Sequence, residues 1–132
     1  MKYTLTISEE HAAVLARACD CYTRLLMGQL AYVADHAMKE MGRQIDNIVA
    51  LRDGMEKLGP LITGMPLHAS KGIFHPELHH DAKVAHDIEA VVTHRLAWDR
   101  SPGGGDGVQF YDPIQAADIP LPTIEHRIAV KH

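Results

Sequence analysis

The sequence predicts a single α+β domain spanning residues 1–132, with long antiparallel helices, a third helix, and a small antiparallel sheet from the N-terminal strand and the C-terminal region. Three observations carry that expectation. Residues Lys2 to Ile7 alternate, with Tyr3, Leu5 and Ile7 on one side and Lys2, Thr4 and Thr6 on the other, which is the period of a half-buried strand. A helical period then runs for about thirty residues behind Ser8. Finally, Val108 to Tyr111 reads as a short strand, and prolines 113, 120 and 122 mark an extended tail from about residue 112 with a further edge strand around Thr123 to Val130.

Ser8 supplies the cap of the first helix, and Glu9 and Glu10 suit its positive end. At 100° per residue Leu15, Ala18, Cys19, Tyr22, Leu26, Leu30, Val33 and Ala37 share one stripe, opposite Arg17, Asp20, Arg24 and Asp35. A helix of this length, about 45 Å, is longer than such a globule is wide, which points to a homo-oligomer. Gly28 interrupts it, either bending the helix or admitting a close neighbour. A second helix is expected from Arg43 to Lys57 with Ile45, Ile48 and Val49 inward, stopped by Gly59-Pro60. His75-Pro76 is read as the start of a third helix that runs to about Asp99, with Val84, Ala85, Ile88, Val91 and Val92 inward.

A net charge of −4 and the lack of any dense Lys/Arg block exclude the usual footprint of a protein that binds nucleic-acid polymers or anionic membranes. No segment has the apolar length of a bilayer span or a signal peptide, so a cytoplasmic protein is expected. Cys19 and Cys21 are two apart on a helix and project about 200° from each other, which prevents a mutual disulfide or a shared metal.

Ten histidines raise the question of a metal. On the third helix His79 and His86, His80 and Asp87, and Asp87 and His94 are each seven apart, about 10.5 Å along the axis and too far for one tetrahedral ion. A set joining His68, His75 and His79 keeps a weak metal-binding protein as an alternative. Nucleophilic elbows and HExxH are absent, and Glu77 and Asp81 have the spacing of a solvated helix face, so no enzyme is expected.

Arg95 falls in the middle of the apolar stripe of the third helix, where a guanidinium needs a partner. Asp99, four residues on, offers a structural ion pair, and an anionic ligand offers a functional one. The stretch LHASKGIFHPELHH supplies the rest of a candidate anion site: Ser70 and the Gly72 amides as donors, Lys71 as a counter-charge, and Phe74 or His68 to stack on a base. Arg24, beside the open surface at Gly28, is a candidate second anion site, with Arg43 a further cation for it.

The segments DCYTRLLMGQL and ASKGIFHPELHHDAKVAHDIEAVVTHRLAWDRSPGGG carry an R-x-x-x-G-Q centre, an AS-x-G-I loop and a helix that ends in R-L-A-W. In these features the chain resembles the first-described family of phage Thoeris anti-defence sponge proteins, over most of residues 3 to 110. The resemblance implies a non-enzymatic, cofactor-free protein of the host bacterial cytoplasm. Such a protein sequesters glyco-cyclic ADP-ribose and, in separate pockets of a higher assembly, CBASS-type cyclic di- or trinucleotides. It implies a dimer or hexamer, a ligand loop at Ala69 to Ile73 with Arg95, and a second site at Arg24 and Arg43. His68 departs from the family pattern, where an aromatic or amide is expected, and leaves the ligand preference open. A helical phage interaction protein that grips another polypeptide is the alternative from a different class.

Overall fold

The computed structural model describes residues 1–43 and 46–127. Among these residues four helices form: α1 (Glu9–Met27), α2 (Leu30–Glu40), α3 (Ile48–Thr63) and α4 (His80–Arg100), followed by a 3-10 turn at Val108–Phe110. They make two antiparallel pairs, α1 with α4 and α2 with α3, which meet at the break between α1 and α2.

No strand forms among the described residues, so the expected sheet is corrected to an all-helical fold. Alternation specifies a face, not a partner. Tyr3 and Leu5 remain 87% and 73% exposed, and only Ile7 reaches the core. Val108 to Phe110 winds into a 3-10 turn because the Phe110 carbonyl accepts a bond from the Trp98 indole N–H at 3.1 Å, with the two rings edge to face. Residues 123–127 run without a ladder, and the part of the expected edge strand beyond residue 127 lies outside the described residues.

Ser8 caps α1, accepting from the His11 N–H at 3.1 Å while the His11 ring accepts from the Ser8 N–H. The buried face of α1 is Ala12, Ala16, Thr23 and Met27, rotated from the expected stripe, and Ala18 and Tyr22 are exposed. The reason is close approach. Ala12 and Ala16 pack on Val92, and the Thr23 hydroxyl reaches both the Cys19 carbonyl (2.8 Å) and the Ala82 carbonyl of α4 (3.3 Å). Small side chains permit that spacing, whereas a periodicity argument gives most weight to large ones.

α2 begins on a cap supplied from outside itself: Glu56 of α3 accepts from the Ala31 N–H at 3.1 Å. α3 starts later than expected, on an Asn47 side chain that accepts from Ala50, and Val49 is 63% exposed instead of inward. Ile45 lies outside the described residues. Pro60 does not stop α3, because it lies in the last turn, and the helix ends at Gly64, whose left-handed backbone returns its N–H to the Pro60 carbonyl. α4 begins at a His79 cap, since His75-Pro76 is used in a separate turn that buries Leu78 against Met27 and Ala82.

Beyond the 3-10 turn an extended strap wraps α4. It descends past His94, which faces the Gln109 carbonyl, to the buried Asp87, whose two oxygens accept from the Ala116 and Ala117 N–H groups at 2.8 and 3.0 Å. At the start of α4, Asp118 faces His80 at 3.5 Å. The chain then returns, packing Ile124 on the α1–α4 core and placing His126 3.0 Å from Asp99.

Candidate ligand site

Two motifs well separated in the sequence, R-x-x-x-G-Q and AS-x-G-I, meet at the α1–α2 break. Gly28 takes φ = 87°, a left-handed conformation suited to glycine, and ends α1 with two bonds: its N–H to the Leu25 carbonyl (3.1 Å) and the Gln29 N–H to the Arg24 carbonyl (2.8 Å). This closure leaves the Met27 carbonyl free for the Lys71 N–H at 3.0 Å. A Cβ on Gly28 would lie 3.0 Å from the Ala69 carbonyl oxygen and 2.8 Å from Met65 Cε. The AS-x-G-I loop is thus seated on the R-x-x-x-G-Q break.

Within that seat the expected ligand residues are largely turned outward. Ser70, Gly72, Phe74 and His68 are exposed, and His68 holds φ = 63°, an uncommon backbone for a residue with a side chain. Lys71 is half-buried, its ammonium 3.4 Å from the Glu77 carbonyl. Ile73 anchors the loop on the Met27, Leu78 and Ala82 cluster.

Arg24 stands beside the loop but is already engaged. It donates to Gln29 Oε1 at 2.7 Å, lies 3.5 Å from Asp20 and covers the Tyr32 ring at 4.8 Å. Gly28 and Arg24 therefore share the loop's neighbourhood, while Arg43, exposed beyond the far end of α2, is about 20 Å along the chain axis from the break.

Arg95 is not brought to the loop within one chain. It lies fifteen residues into α4, about 22 Å from its first residue. There its guanidinium donates to Asp99, and its Nε is buried without a partner among the described residues. Partial burial pulls the Asp99 carboxyl up, but hydrogen bonds from Arg95 and His126, and their charges, outweigh it and leave the pKa below the ordinary value. A carboxyl whose folded pKa is depressed adds stability above its unfolded pKa, near 4, and loses it as pH falls through the folded value. Melting the wild type and Asp99→Asn from pH 5 to pH 2.5 should therefore show the wild-type advantage shrinking through that acid window; an advantage constant with pH contradicts the assignment.

A second concavity escaped the sequence reading. Between α1, α4 and residues 108–114 lies an open groove of about 850 Å³, with Ala13, Ala16 and Ala97 among its lining and Glu89 facing Thr93 at 3.0 Å. Burial pushes the Glu89 carboxyl up, against the Thr93 hydrogen bond. The i, i+4 pair Glu89 and Thr93 was legible, but placing 108–111 in a sheet removed the groove's outer wall.

Both cysteines are free thiols. Burial raises both, aided by Glu89 at Cys19 and by Asp20 at Cys21, which disfavours a nucleophilic thiolate. Among the described residues no three His, Cys, Asp or Glu side chains converge as a metal site. No helix among them is long and apolar enough to cross a membrane. Comparison with family models, curated proteins and solved structures finds no match for this chain.

Proposed function

We propose that this protein binds cyclic nucleotide immune signals, glyco-cyclic ADP-ribose first and CBASS-type cyclic di- or trinucleotides second, and sequesters them without cleaving a bond. The observation that supports this reading is the seating of the Ala69 to Ile73 loop on Gly28. It places the exposed Ser70 and Gly72 on either side of the half-buried Lys71. Hydroxyl, ammonium and amide donors on one short loop suit phosphate oxygens. In the same reading the phage protein acts in the host bacterial cytoplasm, where such signals circulate.

A homo-oligomer belongs to this proposal. The chain exposes 9669 Å², against about 6,900 Å² for a compact monomer of its mass. Part of that excess is the apolar flank of α3, where Leu61 is 85% exposed and Leu58 lies one turn before it. A second copy covering such surface also offers Arg95 a route to a ligand loop that it does not reach in its own chain. The exposed α3 flank equally favours the second reading, a helical phage interaction protein.

Calorimetric titration with glyco-cyclic ADP-ribose and with cyclic dinucleotides, alongside light scattering of the free protein, tests both. Expected are saturable heat, recovery of unchanged ligand after denaturation, a higher melting temperature with ligand bound, and a mass of at least two chains. Arg95→Ala is expected to lose the heat while keeping a melting transition. A folded protein that gives no heat with any of these ligands removes the sequestration reading and leaves the interaction protein.

A further inference from the structure

We propose that α3 is an interface between two copies of this chain, packed antiparallel across a two-fold axis through the stripe Ala50, Gly54, Leu58 and Leu61. The inference rests on the homo-oligomer of the proposed function and deepens it, by assigning the surface that the second copy covers.

Gly54 is the first observation. It lies inside α3, where glycine is destabilising relative to alanine. Its backbone is not left-handed, and a Cβ built on it would meet nothing within 4 Å among the described residues. Neither of the reasons that apply at Gly28 therefore applies here. A helix from a second copy, approaching closely at this point, supplies one.

At 100° per residue Ala50, Gly54, Leu58 and Leu61 fall within about 80° of one another. All four are exposed, Leu61 by 85%. The far side of α3 is the one that packs on α2, where a Cβ on the buried Gly59 would lie 3.8 Å from Leu30. The stripe thus faces away from the chain's own fold.

The order of residues along the stripe identifies what covers it. Small side chains occupy its first half and leucines its second, so a copy running the opposite way sets Leu58 over the partner's Gly54 and Leu61 over the partner's Ala50, and the reverse. Charge follows the same order. Asp53 and Lys57, both exposed on one flank of the stripe, come opposite the partner's Lys57 and the partner's Asp53, whereas a parallel pairing would set like charges together. The other charges of α3 are engaged within the chain: Arg52 pairs with Asp35, and Glu56 caps α2. The surface available is sufficient. At 9669 Å² the chain exceeds a compact monomer of its mass by more than the roughly 800 Å² that each partner contributes to a standard interface.

Light scattering and sedimentation of the full chain test the interface. The wild type is expected to have the mass of two chains or a multiple of two. Leu58→Asp/Leu61→Asp, with a wild-type helical signal by circular dichroism, should reduce that mass to half or less. Gly54→Leu, which raises helix propensity and so carries the test independently of folding, should raise the dissociation constant at least tenfold by filling the space of the partner's Leu58. Lys57→Glu should weaken association about fivefold, the scale of two exposed ion pairs, and Asp53→Lys/Lys57→Glu should restore it. A monomeric wild type overturns this interface together with the oligomer it rests on. An oligomer that keeps its mass in the leucine double variant, or its dissociation constant in Gly54→Leu, overturns the interface alone. A double charge swap that restores nothing overturns the antiparallel pairing.

Discussion

Gly28→Ala should lower the melting temperature by about 10 °C and release the Ala69 to Ile73 loop from the α1–α2 break. Two costs add. A side chain in the left-handed region costs about 1–2 kcal/mol, and the new Cβ meets the Ala69 carbonyl oxygen at 3.0 Å, where backbone must shift. Together they come to about 2–4 kcal/mol, which for a domain of this size gives the stated change. Gly42→Ala is the control: it shares a positive φ of 63° but has nothing within 4 Å of its Cβ, so only the backbone cost applies. Thermal denaturation followed by circular dichroism measures both. Exchange of the Lys71 amide, bonded to the Met27 carbonyl, reports the loop. Equal melting temperatures for the two variants would show that the close approach at Gly28 contributes nothing.

Asp87→Ala should cost about 2–4 kcal/mol, because it strips the acceptor from the Ala116 and Ala117 amides while leaving them next to α4. Asp87→Asn keeps one acceptor oxygen and should cost about half as much. The loss should be local before it is global. Residues 109–118 should become protease-sensitive at temperatures where the α1–α4 pair still gives its helical signal. A variant that melts at the wild-type temperature with an intact strap would mean that the carboxylate is not the strap's anchor.

These two positions show where sequence reasoning succeeds and where it stops. Gly28 was legible as a singular point because a glycine inside a strong helical period costs stability and needs a reason. Which reason applied, a bend or a close neighbour, depended on a loop forty residues away. The structure shows both at once. Asp87 was legible only as one member of an i, i+7 series unfit for metal. Its use as an acceptor for strap amides is a long-range pairing that leaves no local pattern.

Arg95 illustrates the same boundary. Its misfit on an apolar stripe and the i+4 relation to Asp99 were both on the page of the sequence, and the ion pair forms. Its distance from the loop follows from α4 starting at His80: the loop packs on the first turn of that helix through Ile73 and Ala82, while Arg95 lies fifteen residues into it. The sheet failed for a different reason. Residues Lys2 to Ile7 have a strand's alternation, but a strand exists only through a partner's hydrogen bonds, and no segment among the described residues comes to offer them.

What the sequence by itself determined is local: the Ser8 cap, Gly28 as a singular point in the helical period, the glycine stop after α2, the helical character of residues 9–27, 30–40 and 80–100, and the punctuation of the strap by prolines; that Gly28 divides the expected thirty-residue helix in two is a finding of the structure. Each is set by interactions within one or two turns, which periodicity and capping chemistry read directly. What only the tertiary structure decided is which face of α1 is buried, where the AS-x-G-I loop rests, and that the strap closes a groove over α4. Those outcomes depend on close backbone approach between segments far apart in the chain, where an alanine or a glycine matters through what it leaves room for.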